Sequence, residues 1–158
     1  MQKSKIKYWI LPEVISHSLH IFDSYKQITG SILFSDSLTA EYKSYLLYHA
    51  PFVVVSHGNQ EDPIFNYGNL MAQQLWEMRW EEFTKLPSRY SAEPSGMEER
   101  QHFLEEVARK GFSDSYSGVR KSKRGIRFRI ESVLLWNLKN AEHQHAGQVA
   151  LFRKWTYL

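Results

Sequence analysis

Two spacings of hydrophobic residues divide the chain near Gly111. Before this glycine, apolar residues recur mainly at intervals of three and four, which is typical of helices with one buried face. After it they alternate with polar residues, as in a half-buried strand. The first spacing predicts helices at residues 12–28, 38–49, 68–76, 80–86 and 97–110. Alternation and short β-branched runs predict strands at residues 52–55, 64–66, 112–120, 126–131 continuing through 132–138, and 149–155.

Local signals set the predicted ends of the helices. Pro12 suits the first turn of the first helix, and Gly30 ends that helix. Ser37 is the predicted N-cap of the second helix, and Pro51 ends that segment. Gly111 is the predicted C-cap of the fifth helix, so the helical part of the chain ends where alternation begins.

The order of these elements indicates an α+β fold with a five-stranded antiparallel sheet and short helices on one face. The unbroken apolar run at residues 133–136 requires that both faces of its strand are covered. We therefore expect the N-terminal helices to cover the outer face of the sheet or to pair with a second copy. The chain then divides into an N-terminal helical extension, residues 1–50, and a domain at residues 51–158.

Composition excludes several classes of function. The 158 residues contain no cysteine, which excludes disulfides, cysteine-ligated zinc, iron–sulfur clusters and a flavin photosensor that works through a cysteinyl adduct. The first residues lack the apolar segment of a secretory signal, and no apolar run approaches a membrane span in length. A cytoplasmic location is therefore expected. The net charge of +3 is too small to indicate a polyanion such as nucleic acid as the partner.

Residues around the end of the predicted second strand resemble the pattern of PAS domains. In that pattern an Asn is followed by an Ala, a Leu–aromatic pair, an acidic pair and an apolar residue. The matching positions are Asn69, Ala72, Leu75, Trp76, Glu81, Glu82 and Phe83. The chain departs from the pattern at Glu77, where a glycine usually follows the aromatic residue.

Further segments between residues 56 and 120 carry a more specific resemblance: Ser-His-Gly at 56–58, Glu-Asp-Pro-Ile-Phe-Asn-Tyr-Gly-Asn at 61–69, Leu-Trp-Glu-Met at 75–78, Leu-Pro-Ser-Arg at 86–89, Ala-Glu-Pro at 92–94 and Tyr-Ser-Gly-Val-Arg at 116–120. On these segments the chain resembles the MEKHLA family, a PAS-like group. The resemblance implies that residues 51–158 form a PAS-like MEKHLA domain. In plants such modules end class III homeodomain–leucine zipper transcription factors. This chain resembles the free-standing bacterial kind, notably that of cyanobacteria.

The resemblance implies a sensory, ligand-binding or protein-interaction module that acts in signalling without catalysis, and it supplies no catalytic residues and no particular cofactor. A ligand-binding module implies a cavity between the sheet and the short helices, suited to a small apolar or aromatic ligand. Its predicted walls are Trp76, Trp80, Tyr90, Phe128, Ile130 and Trp136. Two alternatives stay open. One is an adaptor whose rings fill the core and which binds a partner protein or a second copy, and the other is a small hydrolase-type enzyme.

Histidines offer further candidates for chemistry. Ser56, His57 and Asp62 have the residue types of a catalytic triad, but adjacent side chains on a strand point apart, so turn capping by Ser56 and Asp62 is the preferred interpretation. His102 lies where haem-binding PAS sensors place an axial ligand, yet its polar neighbours indicate a solvated position. Surface positions without a metal are expected for two histidine pairs, because two ligands are not a site: His17 with His20, and His143 with His145.

Basic residues crowd the predicted turn between the third and fourth strands. They are Arg120, Lys121, Lys123, Arg124, Arg127 and Arg129. Such a cluster can contact phosphates, but no nucleic-acid-binding motif surrounds it, so a solvated hairpin tip is the preferred interpretation. Asn66 and Asn69 bracket the turn after the second strand, and we expect their side chains to bond backbone groups there.

Overall fold

The computed structural model describes residues 6–92 and 97–158. The elements follow the order that the hydrophobic pattern predicts. The helices are α1 (Pro12–Thr29), α2 (Ala40–Tyr48), α3 (Leu70–Trp76), α4 (Trp80–Phe83) and α5 (Met97–Lys110). The strands are β1 (Val53–His57), β2 (Phe65–Gly68), β3 (Phe112–Lys121), β4 (Arg127–Lys139), β5 (His145–Phe152) and β6 (Lys154–Tyr157). Two 3₁₀ turns lie at Tyr8–Ile10, the N-terminal turn, and at Ser88–Ser91, the Ser88 turn.

The strands form one antiparallel sheet in the order β2-β1-β5-β4-β3, and β6 also pairs with β4. Neighbours in the sheet are thus not always neighbours in the chain, since β5 returns to lie between β1 and β4. The helices pack on this sheet, so the predicted α+β class is confirmed.

The last predicted strand, at residues 149–155, is divided in two. β5 pairs with the second half of β4, whereas β6 pairs with the first half, where Glu131 lies opposite Lys154. Between the halves, Ser132 has a φ of 52°, and the register with β3 shifts at the same place. This is a bulge, which bends β4 so that one straight strand cannot pair along its whole length. The sheet of the described residues therefore has six strands rather than five.

The outer face of the sheet, defined as the face under α1 and α2, holds one of two core clusters. Val14 and Ile21 of α1 pack there with Trp136, Leu138 and Leu151 of the sheet. The N-terminal helices thus cover the outer face, which is the first of the two arrangements that the sequence left open. The division of the chain after residue 50 stays a prediction.

The inner face, defined as the face under α3, α4 and α5, holds the second cluster. Trp76 and Phe83 of the short helices pack there with Phe128 and Val133 of β4. Because Val133 belongs to the inner cluster and Trp136 to the outer one, both faces of the apolar run are covered, as its composition requires.

The N-cap of α2 differs from the prediction. Thr39, and not Ser37, has the side chain that accepts a hydrogen bond from the backbone N–H of Tyr42, at 3.2 Å. The Ser37 hydroxyl lies 2.8 Å from the hydroxyl of Ser35 instead. Because the helix begins at Ala40, only residue 39 adjoins its unpaired N–H groups.

Asn69 joins the layers of the fold. Its Oδ1 accepts hydrogen bonds from the N–H groups of Ala72 in α3 and Val54 in β1, at 3.2 and 3.1 Å. Its Nδ2 donates to the carbonyl oxygens of Leu47 and Phe52, at 3.2 and 2.8 Å. The prediction that Asn69 fixes the turn between strand and helix is confirmed, and the same side chain also holds α2.

Glu77 stands where the PAS pattern has glycine, and it adopts the backbone conformation that favours glycine. Its φ of 59° and ψ of 43° lie in the left-handed region and end α3. Its carboxylate accepts hydrogen bonds from the Ser122 hydroxyl and the Arg124 guanidinium of the β3–β4 turn. These bonds offset part of the cost of the strained backbone, so the turn keeps its geometry without a glycine.

Candidate functional site

A cavity of about 60 Å³ lies against the inner face of the sheet, where the Ser88 turn and Phe103 of α5 close over it. Its apolar walls come from three adjacent strands and from α3. They include Val55, Trp76, Val133, Leu135, Ala150 and Phe152. Ordinary ligand pockets enclose roughly 300–1,000 Å³. This space is smaller and accommodates about four to six water-sized groups, at roughly 10–15 Å³ for each.

Arg120 brings a positive charge to this apolar wall. Tyr116, Gly118 and Arg120 alternate along β3, so all three lie on the inner face. Arg120 donates one hydrogen bond from Nη2 to the Tyr116 hydroxyl, at 2.8 Å, and one from Nη1 to the carbonyl of Val119, at 3.1 Å. The guanidinium is therefore held on the strand that forms one wall of the cavity.

Gly118 leaves space for this arrangement. A Cβ at position 118 would lie 2.8 Å from the Tyr116 hydroxyl oxygen and 3.0 Å from Nη1 of Arg120. A larger residue there would therefore shift the tips of these two side chains from the positions in which they meet above the strand.

No carboxylate pairs with Arg120 among the described residues. The ion pairs of that part of the chain join other basic residues, all more exposed than Arg120, to acids: Lys26, Arg79, Arg89, Lys110, Lys123 and Arg124. Arg120 is only partly exposed, and Tyr116 and a backbone carbonyl are its hydrogen-bond acceptors. A partly buried cation without a counter-ion is unusual, since removing a charge from water is costly unless the charge is paired.

Polar side chains line the other end of the cavity. His57 and Gln148 lie opposite each other on β1 and β5, and both line it. Gln148 donates to Oδ1 of Asn137 on β4 at 3.4 Å, and His57 Nδ1 lies 2.8 Å from the carbonyl oxygen of Gly58. The cavity thus has a cationic end at β3, an apolar middle and a polar end at β1 and β5.

The predicted cavity walls are distributed over four places. Trp76 and Ile130 line the cavity. Phe128 is fully buried behind it, with its ring centroid 5.3 Å from that of Trp76. Trp80 and Trp136 belong instead to the outer cluster. Tyr90 is 52% exposed, with the guanidinium of Arg89 over its ring.

Four of these positions require a correction, because Trp80, Tyr90, Phe128 and Trp136 do not line the inner cavity. Aromatic character alone does not tell which face of a sheet or helix a ring occupies. The sequence pattern grouped Arg120 with the basic turn, but the structure places it in the wall of the cavity. The alternation of Tyr116, Gly118 and Arg120 was the signal that places it on the inner face.

The outer face carries a buried polar network, and an open groove of about 360 Å³ lies beside it, between Tyr25 of α1 and Leu151 of β5. Ser56 is 1% exposed, and its hydroxyl donates to Oδ1 of Asn66 and lies 2.8 Å from Nε2 of His17 in α1. Because the single hydroxyl proton goes to Asn66, Nε2 of His17 is the donor in the second bond. Burial, with a smaller effect of the neighbouring His20, lowers the pKa of His17 to about 4, so the ring is neutral at pH 7.

This network corrects three predictions. His17 is not a surface residue, because α1 presses it onto the sheet. Asn66 bonds the Ser56 side chain rather than a backbone group. Ser56 does not cap the polar turn, and Asp62 does not either, since its carboxylate accepts from Nε of Arg89 at 3.1 Å. Ser56 is therefore directed to α1 and β2, away from His57 and Asp62.

Metal and haem ligation gain no support from the geometry. Within residues 6–92 and 97–158 no group of three or more His, Asp or Glu side chains is placed to hold a metal ion. His102 is exposed on α5, as predicted, with its ring next to Phe103. His143 and His145 are both exposed in and beside the β4–β5 turn.

The basic turn is docked rather than free. Lys123 and Arg124 form ion pairs with Glu82 and Glu77, and the N–H of Lys123 donates to the carbonyl of Trp76 at 3.0 Å. The hairpin tip thus contacts the corner between α3 and α4 through these pairs, and Lys123 and Arg124 stay exposed to solvent, as predicted for the tip. The hydrogen bonds to these two carboxylates lower the pKa of Glu77 and the pKa of Glu82.

None of the helices in the described part of the chain has the length and apolar character needed to cross a bilayer.

Comparison with known proteins gives a family and a fold. A family model described as the MEKHLA domain matches residues 15–157. A PAS domain from Colwellia psychrerythraea is similar with a TM-score of 0.63 at 16% identity, over 72% of this chain and 94% of that chain. A PAS domain from a two-component sensor histidine kinase gives 0.55 at 18% identity, over 72% and 91%. An RNA-binding light-oxygen-voltage receptor gives 0.62 at 14% identity, over 76% and 33%. At these identities the likeness shows the PAS fold, and no curated protein matches the chain.

Proposed function

The chain belongs to the MEKHLA domain family, and on that premise we propose that it is a sensory module that responds to a small molecule bound on the inner face of its sheet. The observation that carries this proposal is the cavity between β3, β4, β5 and the Ser88 turn. It combines apolar walls with a few polar groups at its ends, which is the general make-up of a small-molecule site.

The position of the cavity supports a signalling role. Val133 and Leu135 line it on one face of β4, while Trp136, one residue further, packs under α1 on the other face. One strand therefore separates the ligand space from the N-terminal helices. Packed layers do not deform continuously. A ligand that prefers one arrangement of these residues shifts the population toward it and changes the surface that α1 and α2 present.

The module acts in this proposal without catalysis. Its one buried Ser–His contact, between Ser56 and His17, has the wrong polarity for a nucleophile, because the serine donates its proton to Asn66. A histidine whose pKa is about 4 is also a weak base at neutral pH. A cytoplasmic location, and a partner other than nucleic acid, remain predictions from the sequence.

Native mass spectrometry of the protein purified from its own host tests this function. We expect a reproducible bound mass in the wild type. Ala150→Leu should lose that mass, because the added atoms occupy the cavity that Ala150 lines. Ala141→Leu is the matched control, since Ala141 is exposed in the β4–β5 turn. Wild-type protein that is reproducibly free of any bound mass would contradict the proposal.

An adaptor without a ligand is the second candidate, and an exposed aromatic pair favours it. Tyr42 and Tyr45 on α2 are 48% and 41% exposed, and their rings stack with centroids 5.9 Å apart. Exposed aromatic side chains of this kind are common in protein interfaces. Ligand-free protein that forms a dimer in light scattering, together with loss of the dimer in Tyr42→Ser, would favour the adaptor over the sensor.

A further inference from the structure

We infer that the inner cavity takes a short-chain monocarboxylate, whose carboxylate binds the guanidinium of Arg120 and whose alkyl chain lies against the apolar wall. The inference rests on the proposed function, because it names the ligand class of that same cavity. It is carried by the charge, the hydrogen bonds and the size of the space.

The charge of the cavity favours an anion. Among the described residues that line it, Arg120 is the one lysine or arginine, and there is no aspartate or glutamate. The basic residues of the docked turn, Lys123 and Arg124, have carboxylate partners although they are more exposed. The part of the chain that the structure describes gives Arg120 no such partner, so a bound anion would supply a counter-charge to this partly buried group.

The hydrogen-bond donors of this end are arranged for a carboxylate. Arg120 uses two of its five N–H groups, on Tyr116 and on Val119, and three remain. The Tyr116 oxygen accepts from Arg120, so its own O–H group is left to donate. A guanidinium that keeps a pair of parallel N–H groups binds a carboxylate through two hydrogen bonds. Gly118 leaves these two groups the space to meet, since a Cβ there would press on the tips of both side chains.

The size and the walls set the rest of the ligand. A cavity of about 60 Å³ holds about four to six non-hydrogen atoms if each takes the space of one water, which is the size range from acetate to butyrate. The middle of the cavity is apolar, with Val133, Ala150 and Phe152 in its walls. The far end has the neutral side chain of Gln148 and the ring of His57, with no second arginine or lysine. One carboxylate with an alkyl chain fits this pattern, and a dicarboxylate leaves its second charge unpaired.

Calorimetric titration of the wild-type protein tests the inference without any substitution. Butyrate is compared with butyramide, which has the same shape and no charge. We expect butyrate to bind with a Kd between the micromolar and millimolar range, as suits a ligand of so few atoms. Butyramide should bind at least about tenfold more weakly, because it lacks the charge-assisted hydrogen bonds to Arg120. Equal binding of the two compounds would overturn the inference.

Substitutions of Arg120 and Tyr116 test whether butyrate binds at the cationic end of the cavity. Arg120→Met keeps most of the side-chain volume and should abolish butyrate binding. Arg129→Met is the matched control and should leave it unchanged, because Arg129 is exposed and alternates with the inward-facing Phe128 and Ile130 on β4. Tyr116→Phe should weaken butyrate binding by severalfold. Butyrate binding to Arg120→Met at wild-type strength would overturn the inference, and thermal melts show whether each variant is folded. If Arg120→Met does not fold, the comparison of butyrate with butyramide in the wild type still decides whether the cavity prefers a carboxylate.

The test separates the inference from the proposed function on which it rests. One outcome is that butyramide binds as well as butyrate, with binding of both lost in Ala150→Leu. That result would overturn the inference that the ligand is a carboxylate, and it would support the proposal that the cavity is the ligand site of a sensor. An absence of binding by both compounds and of any mass bound to the host-purified protein would overturn both.

Discussion

The two faces of the sheet are packed by different means. On the outer face, polar side chains are buried in pairs: Trp136 donates to Ser24 at 2.8 Å, and His17 contacts Ser56 at the same distance. On the inner face, the core is apolar and leaves a cavity of about 60 Å³ beside Arg120, for which the described residues supply no carboxylate partner. Hydrogen bonds thus fix the packed core of the outer face, which has an open groove at its edge between Tyr25 and Leu151, whereas the core of the inner face itself contains space.

This difference indicates that the two faces have different functions. Buried hydrogen bonds have strict geometry, so they fix how α1 sits on the sheet. An apolar wall has no such demands and can repack around a guest at modest cost. A sensor needs both properties, because a ligand changes the output only if the far side of the sheet has defined positions.

The largest expected effect lies where the two faces meet. Replacing Asn69 by Ala removes four hydrogen bonds between α2, β1 and α3 and leaves buried backbone groups unpaired. We expect the free energy of unfolding to fall by about 4 kcal/mol, measured by urea denaturation. Asn59→Ala is the control, since exposed Asn59 makes one bond, to the carbonyl of His145, and should lose less than about 1 kcal/mol. Equal losses in both variants would show that Asn69 does not join the layers.

The outer network should make stability depend on pH. The pKa of His17 is about 4 in the folded protein and about 6.5 in the unfolded chain. The unfolded state therefore binds more protons between these values, so the contribution of His17 is full above pH 6.5 and is lost as the pH falls towards 4. We expect the free energy of unfolding to drop by about 2 kcal/mol between pH 8 and pH 5 through this group.

Urea denaturation at pH 8 and pH 5 isolates the contribution of His17. His17→Gln should remove that part of the pH dependence. His102→Gln, at an exposed position on α5, should keep it. A pH dependence that is the same in wild type and His17→Gln would contradict the buried neutral ring.

Two substitutions that each add one methyl group, one on each face of the sheet, test how tightly the two faces are packed. Val54 and Val133 are both fully buried, the first in the outer cluster and the second at the wall of the inner cavity. Val54→Ile should destabilise the protein by at least about 1 kcal/mol, because the closed core must shift. Val133→Ile should be neutral or stabilising by up to about 0.8 kcal/mol, because the cavity accepts the methyl group. Thermal unfolding distinguishes the two, and equal losses would mean that the inner face is packed as tightly as the outer one.

The smallest expected effect concerns the strained turn beside the inner face. Glu77→Gly and Glu77→Ala both remove the bonds to Ser122 and Arg124, but only glycine relieves the left-handed backbone. We expect the glycine variant to have the higher melting temperature of the two. The reverse order would show that the backbone at Glu77 is not strained.

Local sequence patterns predicted most of the fold. Spacing and turn residues predicted the five helices and the first four strands to within a few residues, because one buried face imposes a period on its own sequence. Ser37 and Thr39 show the limit of this reasoning. Both are good N-caps, and only the packed position of α2 decides between them. The bulge at Ser132 likewise depends on three strands at once, so no local signal predicts that the last strand is divided.

The candidate site was less accessible from the sequence. Trp76 and Ile130 were predicted at the cavity, but Trp80 and Trp136 belong to the other face. The contact between His17 and Ser56 joins residues 39 positions apart, which depends on how α1 crosses the sheet. A contact between residues so far apart in the chain leaves no periodic pattern in a single sequence, so spacing does not predict it.

A crystal of the protein under xenon pressure tests the contrast between the faces most directly, because xenon occupies apolar cavities and not packed cores. We predict one strong xenon site on the inner face, between Val133, Ala150 and Phe152, and none in the packed outer cluster around Ile21 and Val54. Xenon inside the outer cluster, or no xenon at the inner wall, would contradict the contrast between the two faces.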